Sequence, residues 1–70
     1  MKEIKIDTEF IKLDQFLKLA GIAGTGGHAK ILISEGEVLV NGQSCTMRGK
    51  KLRKDDLVKI DGKSFKIIQD

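Results

Sequence analysis

The hydrophobic period changes from helical to strand-like at Gly36, and that switch limits the folds open to this chain. Before it, Leu13, Phe16, Leu17 and Ala20 follow the i, i+3, i+4, i+7 spacing of one helical face. Ala29, Leu32, Ile33 and Gly36 repeat that spacing. After it, Val38 and Val40 alternate with Glu37, Leu39 and Asn41, the period of a strand. Two short helices side by side in sequence must pack together, because neither hides its apolar stripe alone. The run of strands that follows supplies the second layer.

The punctuation agrees with the periods. Asp14 and Gln15 fall in the first turn of the first helix, where the helix dipole favours a carboxylate. Gly21 and Gly36 stand where a left-handed residue ends each helix. Ile22-Ala23-Gly24 reads as a tight connector, and Thr25 as the N-cap of the second helix. Asn41-Gly42 is a type I′ hairpin signal, since both central positions need positive φ. Asp55-Asp56 marks a turn before the strand Leu57-Val58-Lys59-Ile60. Asp61-Gly62 marks a second hairpin, and Phe65 and Ile67 form the inward face of the last strand. Met1–Ile6 reads as an N-terminal strand with Ile4 and Ile6 on one face, and Thr8–Lys12 as extended or turn-like. The expected fold class is α+β, two short packed helices with a small antiparallel sheet.

The chain has 70 residues, which suits one small domain over 1–70. A chain this short buries only about 60% of its unfolded surface, so no large active-site cavity is expected. Hydrophobic residues make up 40% and charged residues 33%, within the globular range. The single cysteine, Cys45, cannot form an internal disulfide, and one His with one Cys cannot complete a four-ligand zinc site. No metal or cofactor is expected. Met1–Asp7 lacks the apolar run of a signal peptide, and no segment reaches the roughly 18 apolar residues of a membrane span. The expectation is a soluble, cytoplasmic protein, acting as a monomer and away from membranes.

Charge is divided unevenly. Residues 1–40 carry five lysines against six carboxylates, and residues 41–70 carry eight basic residues against four carboxylates. Within Arg48-Gly49-Lys50-Lys51-Leu52-Arg53-Lys54, five residues of seven are basic and none is acidic. Such an excess attracts polyanions, nucleic acid foremost, although it also suits an acidic protein surface. Catalysis fits poorly. A nucleophile needs a base within hydrogen-bond reach, and Cys45 and His28 lie in different expected elements. Gly24-Thr25-Gly26-Gly27 opens a helix and offers backbone N–H groups to a phosphate. It lacks the Lys-Ser/Thr of a P-loop and the surrounding βαβ unit, so as a nucleotide-binding signature it is weak.

Leu13-Asp14-Gln15-Phe16-Leu17-Lys18-Leu19-Ala20-Gly21, then Thr25, Ala29-Lys30, Leu32-Ile33, and Leu52 with Asp56-Leu57-Val58 resemble the RNA-binding domain named after ribosomal small-subunit protein four. Its core is the alpha-L motif. The likeness spans residues 12–60, and Glu35-Gly36-Glu37-Val38-Leu39-Val40-Asn41-Gly42 is its most specific segment. The short length, the N-terminal strand and the Arg-Gly-Lys stretch are similar to stand-alone bacterial members of the YaaA/YbcJ type.

The resemblance implies a non-catalytic protein that binds structured RNA, ribosomal or transfer, and acts with the ribosome in assembly or translation. It implies a binding face built from the second helix and the basic segment. The candidate contacts are Thr25, Gly26, Gly27, His28 and Lys30 on the helix, and Arg48, Lys50, Lys51, Arg53 and Lys54 on the segment. Lys18 is a lesser candidate. The family commonly places Arg after the Ser/Thr at the second helix start, and Gly26 stands there instead. A-form RNA hides its base edges, so recognition by shape and phosphates needs few aromatics. Phe10, Phe16 and Phe65 are the only aromatics, and all three are expected in the core. The alternative is a protein-interaction adaptor docking on an acidic partner surface.

Overall fold

The computed structural model describes residues 1–69. Seven strands and two helices follow the order β1 (Lys2–Ile6), β2 (Ile11–Lys12), α1 (Leu13–Leu19), α2 (Gly26–Ser34), β3 (Leu39–Val40), β4 (Gln43–Ser44), β5 (Lys51–Leu52), β6 (Leu57–Ile60) and β7 (Lys63–Gln69). Five strands form one sheet in the order β1-β7-β6-β3-β4, and β2 pairs with β5 in a separate ribbon. The α+β class, with two packed helices against a small sheet, is as the periodicity requires.

The helix ends follow their residues. Gly21 and Gly36, at φ +77° and +75°, adopt the left-handed conformation that stops α1 and α2. At the other end of α2, the Thr25 hydroxyl accepts a hydrogen bond from the His28 N–H at 3.1 Å. Asn41 and Asp61 both have positive φ, and they turn the β3–β4 and β6–β7 hairpins.

The sheet is mixed, not purely antiparallel. β1 runs parallel to β7, with Ile4 beside Ile67, while the other pairs in the sheet are antiparallel. Alternation of Ile4 and Ile6 specifies a buried face but carries no direction. A tight turn forces β6 and β7 antiparallel. No turn joins β1 to β7, and the helices between them supply the long crossover a parallel pair needs.

One core holds the layers together. Leu13, Phe16 and Leu17 from α1 and Ala29 and Ile33 from α2 meet Ile4, Ile6, Val40, Val58, Ile60, Phe65 and Ile67 from the sheet. Phe16 and Phe65 tie helix to sheet edge-to-face, with ring centroids 5.7 Å apart. Leu52, fully buried, anchors the β2–β5 ribbon to the same core. Phe10 departs from expectation. It is half-buried and lies outside the core, because β2 turns it away from the face that carries Ile11. No helix of the described residues is long and apolar enough to cross a membrane.

Phe16 has no exposed surface and touches both layers. Phe16→Ala is expected to cost about 3–5 kcal/mol. That is a large part of the stability of so small a domain. Urea denaturation measures it, and a loss below about 1 kcal/mol would contradict this account of the core.

Candidate nucleic-acid interface

The basic segment is held by its backbone. Lys50 N–H donates to the Met47 carbonyl at 3.1 Å, closing a turn around Gly49. α1 begins without a side-chain cap at Lys12. Its first orphan donors find the segment instead: Leu13 N–H donates to the Lys50 carbonyl at 2.8 Å, and Asp14 N–H to the Arg48 carbonyl at 3.0 Å. Two helix donors and two loop acceptors are satisfied together. With those carbonyls turned to the helix, the Arg48 and Lys50 side chains are exposed.

The far end of the segment is fastened by Asp56. Its carboxylate accepts from the Arg53 N–H at 2.7 Å and from the Asn41 amide at 3.1 Å. Asn41 in turn accepts from the Leu57 N–H at 2.9 Å. This carboxylate is therefore occupied with backbone and amide donors. Asp55, next to it, pairs with Lys66 at 3.8 Å. Among the described residues, no ion pair joins a carboxylate to Arg48, Lys50, Lys51, Arg53 or Lys54. All five are exposed. Their charge stays available to a polyanion.

Two residues escaped the sequence reading. Lys12 is exposed and sits directly opposite Lys51 in the β2–β5 register. Phe10 lies under the segment's cations, with Lys51 Nζ 4.8 Å and Arg53 Cζ 5.8 Å from its ring. Neither was visible from periodicity, because β2 has only two residues.

The second group of expected residues lies on the other helix. Thr25, Gly26, Gly27, His28 and Lys30 are exposed at the start of α2. The basic segment meets the opening turn of α1, whereas α2 follows its closing turn. Seven helical residues, or about 10 Å, separate the two ends. His28 lines a hollow with Ile22, Leu32, Ile60, Glu37 and Asp61. Two carboxylates in that hollow disfavour a phosphate beside His28. A Cβ at Gly26 would meet nothing within 4 Å, so a side chain is accommodated there. Lys18 is exposed on the last turn of α1, away from the segment. Cys45 is half-buried, with its Sγ 3.7 Å from the Met47 carbonyl, in a different hollow from His28.

This architecture has relatives. The S4 domain family model matches residues 4–68. The chain belongs to the S4 domain family. A curated relative, the probable ribosome maturation protein RlbA of Bacillus subtilis (strain 168), is 52% identical over 66 residues, 93% of each chain. The solution structure of YbcJ from E. coli, described as revealing an alpha-L motif involved in RNA-binding, superimposes with a TM-score of 0.74. It is 30% identical, and the match covers 97% of this chain and 87% of YbcJ. The 30S ribosomal protein S4e of Thermoplasma acidophilum shares the fold at a TM-score of 0.64 and 19% identity. There the match takes in 86% of this S4 domain but only 32% of S4e.

The Asp56 carboxylate is the fastening that sequence motifs understate. Asp56→Ala is expected to cost about 1.5–3 kcal/mol, the range for hydrogen bonds to a charged acceptor. Urea denaturation measures the loss, and hydrogen exchange should show a faster Arg53 amide. An unchanged Arg53 exchange rate would mean the segment is held without Asp56.

Proposed function

We propose that this S4-domain protein is a non-catalytic binder of structured RNA, acting in ribosome maturation or translation. The observation that carries the reading is the rigidly held run Arg48–Lys54, whose five cations have no carboxylate partner among the described residues. Membership of the S4 family and the description of its relatives support an RNA ligand. Ribosomal RNA is the preferred ligand, because the relative at 52% identity is described by ribosome maturation. Transfer RNA is the alternative. The protein works as a monomer in the cytoplasm.

Arg48 and Arg53 fork onto phosphate oxygens, and Lys50, Lys51 and Lys54 act as point charges. An A-form duplex presents phosphates and 2′-hydroxyls to such a surface. The start of α2 gives a second, weaker contact. There Lys30 supplies charge, Thr25 its hydroxyl, and Gly26 and Gly27 their backbone N–H groups. An RNA fold wider than α1 meets both contacts at once.

Binding to fragments of ribosomal RNA should weaken steeply with salt. About five phosphate contacts give a slope of log K against log salt on the order of −3 to −5. The double variant Lys50→Glu, Lys51→Glu should abolish most of the affinity while leaving the circular dichroism spectrum unchanged. A flat salt profile, or wild-type affinity in the double variant, would overturn the mechanism. Co-purification distinguishes the adaptor: an RNase-sensitive nucleic acid signal supports RNA, whereas an RNase-resistant acidic protein partner supports docking on protein.

Gly26 stands in open space where the family commonly has Arg. Gly26→Arg is expected to tighten RNA binding about 2- to 5-fold by adding one phosphate contact. Unchanged or weaker binding would show that the start of α2 is not at the RNA surface.

A further inference from the structure

The β2–β5 ribbon has two unlike faces. Its register sets Ile11 opposite Leu52 and Lys12 opposite Lys51. Leu52 is fully buried and Ile11 partly so, which fixes one face against the core. Lys12 and Lys51 leave by the other face and are exposed. The same alternation carries Phe10 to the side of Lys12, and Arg53 to the side of Lys51. The ring contacts agree, since both Lys51 and Arg53 reach the Phe10 ring. One ribbon face thus gathers three cations and one aromatic. Among the described residues no ion pair discharges any of the three.

Two features of this face work against folding. Like charges directly opposite in an antiparallel pair are destabilising. A half-buried phenylalanine forgoes part of its burial energy. Both make sense if the face holds an anion. A phosphate between Lys12 and Lys51 converts their repulsion into two attractions. The Phe10 ring orders its cations through the quadrupole without neutralising them. A carboxylate at position 10 would also order them, but would cancel the charge that a phosphate needs.

We propose that the outward face of the β2–β5 ribbon is a phosphate clamp: Lys12 and Lys51 take one backbone phosphate of the RNA between them, and Phe10 is the positioning residue that holds Lys51 and Arg53 in place. This rests on the RNA reading above and adds Lys12 and Phe10 to it. Lys12 supplies charge from β2, an element outside both the basic run and α2. Phe10 touches no phosphate and acts only through the two side chains on its ring.

The test uses the wild type and the variants Lys12→Gln, Phe10→Leu and Phe10→Trp. Each is titrated onto a fluorescein-labelled RNA stem-loop over a series of KCl concentrations, and each is melted thermally without RNA. Lys12→Gln should lose affinity several-fold and flatten the log K against log salt slope by about one unit. Without RNA it should melt about 1–3 °C higher at low salt, because the like-charge pair is relieved. Phe10→Leu should lose about 3- to 10-fold in affinity, and Phe10→Trp, the better cation host, should restore it.

Opposite signs for stability and binding in Lys12→Gln are what a merely structural lysine does not give. A Lys12→Gln slope equal to a steep wild-type slope overturns the clamp alone. So does a Lys12→Gln protein that loses thermal stability together with affinity. Failure of Phe10→Trp to restore binding overturns the positioning role. A wild type without salt dependence overturns the RNA reading, and the clamp falls with it.

Discussion

Two backbone hydrogen bonds, from Leu13 and Asp14 to the carbonyls of Lys50 and Arg48, join the helical half of this protein to its charged half. The opening turn of α1 must satisfy its orphan N–H groups, and Lys12 offers no side-chain cap. The basic segment answers that need with main-chain oxygens. In doing so it is fixed in space, and its side chains are left free. Capping a helix and displaying a charged surface are here one interaction seen from its two sides.

Electrostatics then follows from how the carboxylates are used. Asp56 is occupied by the Arg53 N–H and the Asn41 amide, and Asp55 by Lys66. The acids closest in sequence to the cations are thereby kept from neutralising them. Surface ion pairs contribute little to stability, so leaving these cations unpaired costs the fold little. It preserves a concentrated positive potential. The Phe10 ring contacts Lys51 and Arg53, and it orders these cations without discharging them. Glu37 and Asp61 share a hollow with His28, so that imidazole stands among carboxylates and not among the cations of the segment.

Much of the fold was legible because its signals are local. Gly21, Thr25 and Gly36 bound the helices through their own backbone and side-chain preferences. Asn41 and Asp61 do the same for the hairpins. The parallel β1–β7 pair was not legible, since a two-residue period reads the same in either direction. Phe10 was misplaced for a related reason. An apolar residue beside a two-residue strand has no periodic partners to assign its face. Lys12 was passed over because its cross-strand partner, Lys51, lies far along the chain.

The residue order by itself determined the two helices, their ends, the hairpin turns and the existence of a basic run. Each of these depends on interactions within a few residues, where composition and spacing leave little choice. Only the tertiary structure decided which side of the molecule that run occupies, and that Phe10 and Lys12 belong to it. Those outcomes depend on strand pairing and helix docking between distant segments, and such pairing is chosen by the shared burial of Leu52, Phe16 and Phe65, not by any neighbour in sequence.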